Sequence, residues 1–125
     1  MKESTITTKI LNSLNRREGE WYYKVVATPF QIAGLPDIIG LSQGRFQAIE
    51  IKINRGKYKC HVRGLLTSLQ YATLTKIAGL GGNSRVGLYL EGDLGFYLIP
   101  FKHVKNYRLI TDFKSENREY FTFFT

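Results

Sequence analysis

The chain has 125 residues, 43% of them apolar, and a formal charge of +8 from 18 basic and 10 acidic side chains. That length allows a real core without a disulfide or structural metal, and the lone cysteine, Cys60, excludes an internal disulfide and fits a reducing compartment. No apolar run approaches the roughly 20 residues that cross a bilayer, and the N-terminus lacks the apolar stretch of a secretion signal, so the expectation is one cytoplasmic domain over residues 1–125 with no membrane partner.

Ile6, Ile10, Leu11 and Leu14 form one stripe of a first helix, expected from about residue 4 or 5 to 16 or 17 and stopped by Gly19. Residues 21–27 read as a strand that Pro29 ends. Gly34, Leu35 and Pro36 then turn the chain into a second strand at Asp37, Ile38 and Ile39, and residues 40–44 are expected as a loop, the bend of a hairpin. Residues 46–53 make the central strand. Its alternation puts Phe46, Ala48, Glu50 and Lys52 on one face, and Gln47, Ile49, Ile51 and Ile53 on the other, which reads as packed core. Thr67 is the expected N-cap of a second helix, carried by Leu69, Ala72, Thr73, Lys76 and Ile77 to about Gly79. Strands follow at 85–90 and 95–99, the latter closed by Pro100, and an extended piece at 120–124 either covers a sheet edge or serves an interface. This order predicts an α/β fold with helices packed on a central mixed β-sheet.

The charge is unevenly spread. Residues 41–90 hold eight basic groups and one acid, against five and four before them and five and five after them. Arg55, Lys57, Lys59 and Arg63, interleaved with Gly56, Tyr58 and His61, are the densest part. Such a segment is either a solvated loop or a surface where counterion release draws in a polyanion. Its nearness to the central strand favours nucleic acid. Tyr58 is either a stacking platform for an exposed base or a structural aromatic.

Glu50 and Lys52 project from the same face of one strand, and Asp37 precedes Glu50 by twelve intervening residues. Taken alone, the pair is either an exposed surface ion pair or a buried one that needs compensation. Asp37 at the mouth of the preceding strand favours a divalent-cation site able to cut a phosphodiester. Two hard carboxylates suit Mg²⁺, which lowers the pKa of a bound water and neutralises charge on phosphate. Lys52 adds positive charge beside the attacking water. An ordinary lysine is protonated at neutral pH, so it is no simple general base. Cys60 and His61, with only His103 elsewhere, do not make a zinc set.

The run GLPDIIG, the run GRFQAIEIK and a following helix bearing Gln70 together resemble the PD-(D/E)xK nuclease superfamily. Within it the chain is similar to the VRR-NUC branch, related to archaeal-type Holliday junction resolvases and common in phage and bacterial genomes. The likeness spans about residues 3–90. It implies a restriction-endonuclease-like core and an Mg²⁺-dependent endodeoxyribonuclease in which Mn²⁺ can substitute. Carried over, Asp37 and Glu50 are the metal carboxylates and the Ile51 backbone carbonyl completes their shell. Lys52 orients or activates water, Gln70 lies beside the site, and Glu3 opens the first helix as a direct or water-mediated ligand, with Glu18 and Glu20 as alternatives. The resemblance further implies branched or double-stranded DNA as substrate and two sites paired in a homodimer. A structure-selective endonuclease, a site-specific restriction-like or homing endonuclease, and a non-catalytic DNA-binding protein all stay open.

The chain departs from the compact family pattern twice. Seventeen residues separate Lys52 from Gln70, and the surplus is a basic insertion at about 54–64, whose Arg55, Lys57, Tyr58, Lys59, His61 and Arg63 are the expected DNA contacts. A C-terminal extension at about 95–125 is poorly covered. There Asn117, Tyr120, Phe123 and Phe124 have the spacing of a sliding-clamp-binding peptide with asparagine in place of glutamine, while Tyr120, Thr122 and Phe124 equally fit one face of a strand.

Overall fold

The structure, a computed structural model, describes residues 2–26, 28–29, 33–56, 61–106, 109–112 and 119–123. Helix α1 (Glu3–Asn15) leads into strands β1 (Glu20–Lys24), β2 (Ile38–Ser42) and β3 (Arg45–Asn54). A short 3-10 turn (Val62–Leu65) and helix α2 (Ser68–Gly79) cross to β4 (Asn83–Leu90), followed by β5 (Gly95–Pro100), helix α3 (Phe101–Lys105) and β6 (Tyr120–Thr122). The six strands lie in sequence order in one sheet. Only β3 and β4 run parallel, because α2 carries the chain back between them; the other neighbours are antiparallel. This is the expected mixed sheet flanked by helices. No helix among the described residues is long and apolar enough to cross a membrane.

The alternation of β3 divides two cores. On one face Ile6, Ile10 and Leu14 of α1 meet Tyr22, Ile38, Ile49, Ile51, Phe96 and Phe123. On the other, Leu74 of α2 and Val104 of α3 meet Ala48, Val86, Leu88 and Ile99. Each fully buried Ile or Leu contributes about 2 kcal/mol through removal from water. Gln47 interrupts the otherwise apolar face of β3: it is buried, and its Oε1 accepts from Asn83 Nδ2 at 2.9 Å and from the Arg85 guanidinium at 2.8 Å.

Several expectations need correction. Residues 40–42 are strand, not loop. Gly40 lies flat against β1, where a Cβ would sit 2.2 Å from the Trp21 carbonyl and 2.6 Å from the Tyr22 ring; the glycine marks a close approach of strands rather than a bend. The bend is only Gln43 and Gly44, both at positive φ (53° and 73°), the geometry that suits the twist of a two-residue hairpin. Strand β1 stops at Lys24, although the Val25 N–H still reaches the Asp37 carbonyl at 2.8 Å; residue 27 is outside the described residues. The 3-10 turn and α3 were not expected, and Pro100, expected to end a strand, also begins α3.

The expected extended piece at the C-terminus does cover a sheet edge. β6 pairs with β5, the Tyr120 hydroxyl donates to Asp93 at 2.6 Å, and Phe123 is buried in the α1-side core, where its carbonyl accepts from the Arg16 guanidinium. Two of the aromatics that a clamp-binding peptide would present are therefore part of the sheet and core. Asn117 and Phe124 lie outside the described residues.

Candidate active site

The site is built where β2 peels away from β3. Pro36 is buried and Gly34 (φ +86°) has no room for a side chain, since a Cβ would lie 3.0 Å from Leu69 in the first turn of α2. The turn before Asp37 is thus pressed against that helix. Asp37 sits one residue before β2, and its Oδ2 accepts from the Ile51 N–H at 2.7 Å. The side chain replaces the backbone acceptor that β2 would otherwise supply. In an extended strand a residue's N–H and C=O point toward the same neighbour, so the Ile51 carbonyl faces Asp37 as well.

Glu50 is 3% exposed, and its carboxyl lies within hydrogen-bonding reach of Asp37. Burial, and then the neighbouring Asp37 carboxylate, push its pKa up to about 9, with Glu3 adding a little and Lys52 opposing. Its Oε2 has no hydrogen-bond partner among the described residues. Lys52, two residues further along the same face, is half-buried. Glu3, in the exposed first turn of α1, shares with Asp37 a pocket of about 360 Å³ that Thr7, Lys24 and Val25 also line. Structure therefore gathers Asp37, Glu50, Ile51, Lys52 and Glu3 at one end of the sheet.

Other candidates lie elsewhere. Glu18 follows the far end of α1, and Glu20 accepts from the Tyr22 hydroxyl near Arg85, at the opposite end of β1. Gln70 closes a capping box: Thr67 Oγ1 accepts from its N–H at 3.1 Å and its own Oε1 accepts from the Thr67 N–H at 3.0 Å. Its carboxamide oxygen is spent on the helix, which leaves the amide nitrogens for other work. In the basic insertion, Arg55 pairs with Glu91 at 2.9 Å, the Arg63 guanidinium lies 4.0 Å over the Tyr71 ring, and His61 is exposed. Lys57, Tyr58 and Lys59 lie outside the described residues. Lys24 was missed: nothing in its spacing marks it, and only the β1–β2 register, which pairs it with Ile38, brings it to the pocket.

Among the described residues, no three His, Cys, Asp or Glu side chains form a metal cage. The donor set is smaller: the adjacent carboxylates of Asp37 and Glu50, the second with one buried oxygen that lacks a partner among the described residues, and the Ile51 backbone carbonyl. Two acids held together out of water are costly unless one is protonated or a cation lies between them. Mg²⁺ suits such a set, because it commonly takes one or two carboxylates and keeps water or phosphate oxygens in its other positions.

The architecture, a central mixed β-sheet flanked by helices, is consistent with a restriction-endonuclease-like core. Among solved structures it is similar to Hjc, a Holliday junction resolvase from the archaeal hyperthermophile Archaeoglobus fulgidus, with a TM-score of 0.61 and 20% identity over 79% of this chain and 77% of that one. Neither a protein-family model nor a curated protein matches the chain.

Proposed function

We propose that the chain is a metal-dependent endodeoxyribonuclease that hydrolyses phosphodiester bonds in branched DNA. The observation that carries this is the buried Glu50 carboxyl, held against Asp37 with Oε2 lacking a partner among the described residues and Lys52 on the same strand face. A structural role leaves this cost uncompensated, whereas a cation-binding role uses it.

In this reading Asp37, Glu50 and the Ile51 carbonyl would hold Mg²⁺, with Glu3 near enough to assist. The bound ion would supply Lewis-acid activation of a water and charge neutralisation at the phosphate. Lys52 would offer N–H donors to the phosphate and the attacking water, and Gln70 is left with amide N–H donors for a phosphate oxygen. The resolvase likeness and the +8 charge support DNA as the polyanion. Both strands of a two-fold substrate are cut when two sites pair, so the active species is a homodimer. A monomer by light scattering with full cleavage activity would overturn that part.

The decisive experiment incubates the protein with labelled four-way, flapped, single-stranded and linear duplex DNA in Mg²⁺, Mn²⁺ or EDTA, alongside Asp37→Asn. Metal-dependent products from branched DNA alone, lost in the variant, are expected. Cutting at one linear sequence would replace structure selectivity with site specificity, and tight binding without product across the panel would leave a non-catalytic binder.

A further inference from the structure

The face of the sheet that carries Glu50 also carries an uncovered aromatic strip. Register places Trp21 beside Leu41 and Leu41 beside Phe46, and one row closer to the site it places Tyr23 beside Ile39 and Ala48. Helix α2 packs over this face further along the sheet, on Val86 and Leu88, and leaves β1 and β2 open. Trp21 is 58% exposed, Tyr23 53%, Leu41 53% and Phe46 45%. The Trp21 and Tyr23 rings stack with centroids 6.1 Å apart and planes 18° from parallel. Four large apolar side chains on three adjacent strands form a contiguous patch, of the kind that marks a binding surface.

Two observations identify what the patch fits. Apart from the site residues Glu50 and Lys52, the side chains that β1, β2 and β3 present on this face are uncharged, and the acid next to Trp21, Glu20, turns to the opposite face to meet the Tyr22 hydroxyl. A polyanion attracted by a chain of charge +8 meets no repulsion there. Strand geometry also sets the distance. Phe46 and Glu50 are four residues apart on β3, about 13 Å, and the β1 aromatics lie two strands to the side at about 4.8 Å per strand. Tyr23 and Trp21 therefore stand roughly 12 and 16 Å from Glu50, about three to five stacked nucleotides.

We infer that Trp21 and Tyr23, supported by Leu41 and Phe46, form a stacking platform for unpaired bases a few nucleotides from the scissile phosphate, so that the preferred substrate is DNA with a single-stranded stretch abutting its duplex. This rests on the nuclease reading for the position of the cut, and it names the class of branch. Every base offers a π-face, so the platform reads unpairing rather than sequence. Paired bases keep their faces stacked inside the duplex and gain nothing from it.

Trp21 is the single tryptophan of the chain and reports on its own contact. The test titrates the protein in EDTA, where no metal supports cleavage, with a forked duplex bearing an unpaired arm and with a fully paired four-way junction. Binding is read by anisotropy of labelled DNA and contact by tryptophan emission. The forked DNA should quench the emission saturably in step with binding, and Trp21→Leu should weaken its binding about tenfold while leaving the paired junction unchanged. Trp21→Phe should recover most of that loss. Unaltered emission while anisotropy reports binding would overturn the platform without touching the nuclease reading, which stands on metal-dependent product. Equal loss for both DNAs would overturn it too, as would emission that changes with protein concentration alone, in step with self-association measured by sedimentation.

Discussion

Strand β3 carries three buried polar residues, Gln47, Glu50 and Asn54, and the chain treats the first two, three positions apart, differently. Gln47 is surrounded by groups that need it: Asn83 and Arg85 donate to its Oε1, and its Nε2 donates to the Arg45 carbonyl at 3.2 Å. Arg85 Nη2 also donates to the Tyr22 hydroxyl at 3.1 Å, while its buried Nε lacks a partner among the described residues. At Glu50 the neighbour is a second acid, and one oxygen has no hydrogen-bond partner among the described residues. One cluster closes on itself and holds strands together; the other stays short of positive charge. Equal burial with different surroundings separates a polar cluster rich in donors from a pair of acids, and the second is the arrangement on which the proposed cation site rests.

The largest effect that sharpens this contrast is on catalysis. Asp37→Asn keeps an oxygen for the Ile51 N–H and so keeps the fold, but it should lower cleavage at least about 1000-fold, roughly 4 kcal/mol of transition-state stabilisation. A quench-flow or gel assay beside an unchanged thermal melt checks it; wild-type cleavage in the variant would move the metal site elsewhere.

Next comes Glu50. Its folded-state pKa of about 9 exceeds the ordinary 4.5, so the folded protein holds a proton there that the unfolded chain releases. The associated stability is complete below pH 4.5 and is lost as pH rises toward 9. Metal-free Glu50→Gln should flatten this slope and be more stable than the parent at pH 8 by on the order of 3 kcal/mol, with Mg²⁺ raising the melting temperature of the parent only. A variant less stable than the parent at pH 8 would show that Glu50 is satisfied after all.

In the other cluster the sign reverses. Gln47→Leu leaves Asn83 and one Arg85 bond without an acceptor and should cost about 2 kcal/mol in urea unfolding. Asn83→Ala removes a single donor and should cost about 1 kcal/mol. If either change stabilised the protein, the Gln47 cluster would be the unsatisfied one and the contrast would fail.

The legible parts of the molecule were those set by near neighbours in sequence. Alternation in one strand assigned Glu50 and Lys52 to one face, and a proline-closed turn put Asp37 at a strand mouth. Thr67 capped its helix as expected because a capping box is read within four residues. What stayed hidden depends on register. Lys24 reaches the pocket, and Trp21 joins Leu41 and Phe46, only once β1, β2 and β3 are aligned. Gly40 was misread because a glycine that admits a close neighbour and a glycine that makes a turn look the same in a string of letters. Choosing Glu3 over Glu18 and Glu20 likewise required knowing which end of α1 points at Asp37.

Closure of the sheet by β6 has a consequence for how the protein is made. Phe123 completes the core begun by Ile6 and Ile10, and its carbonyl accepts from Arg16, so the residues of α1 wait for a partner more than a hundred positions later in the chain. Until then the β5 edge is open and the α1-side core lacks Phe123, a state prone to aggregation. Pairing of β6 with β5 is therefore a late and far-reaching step of folding, and removing residues 119–123 would leave that edge open for good.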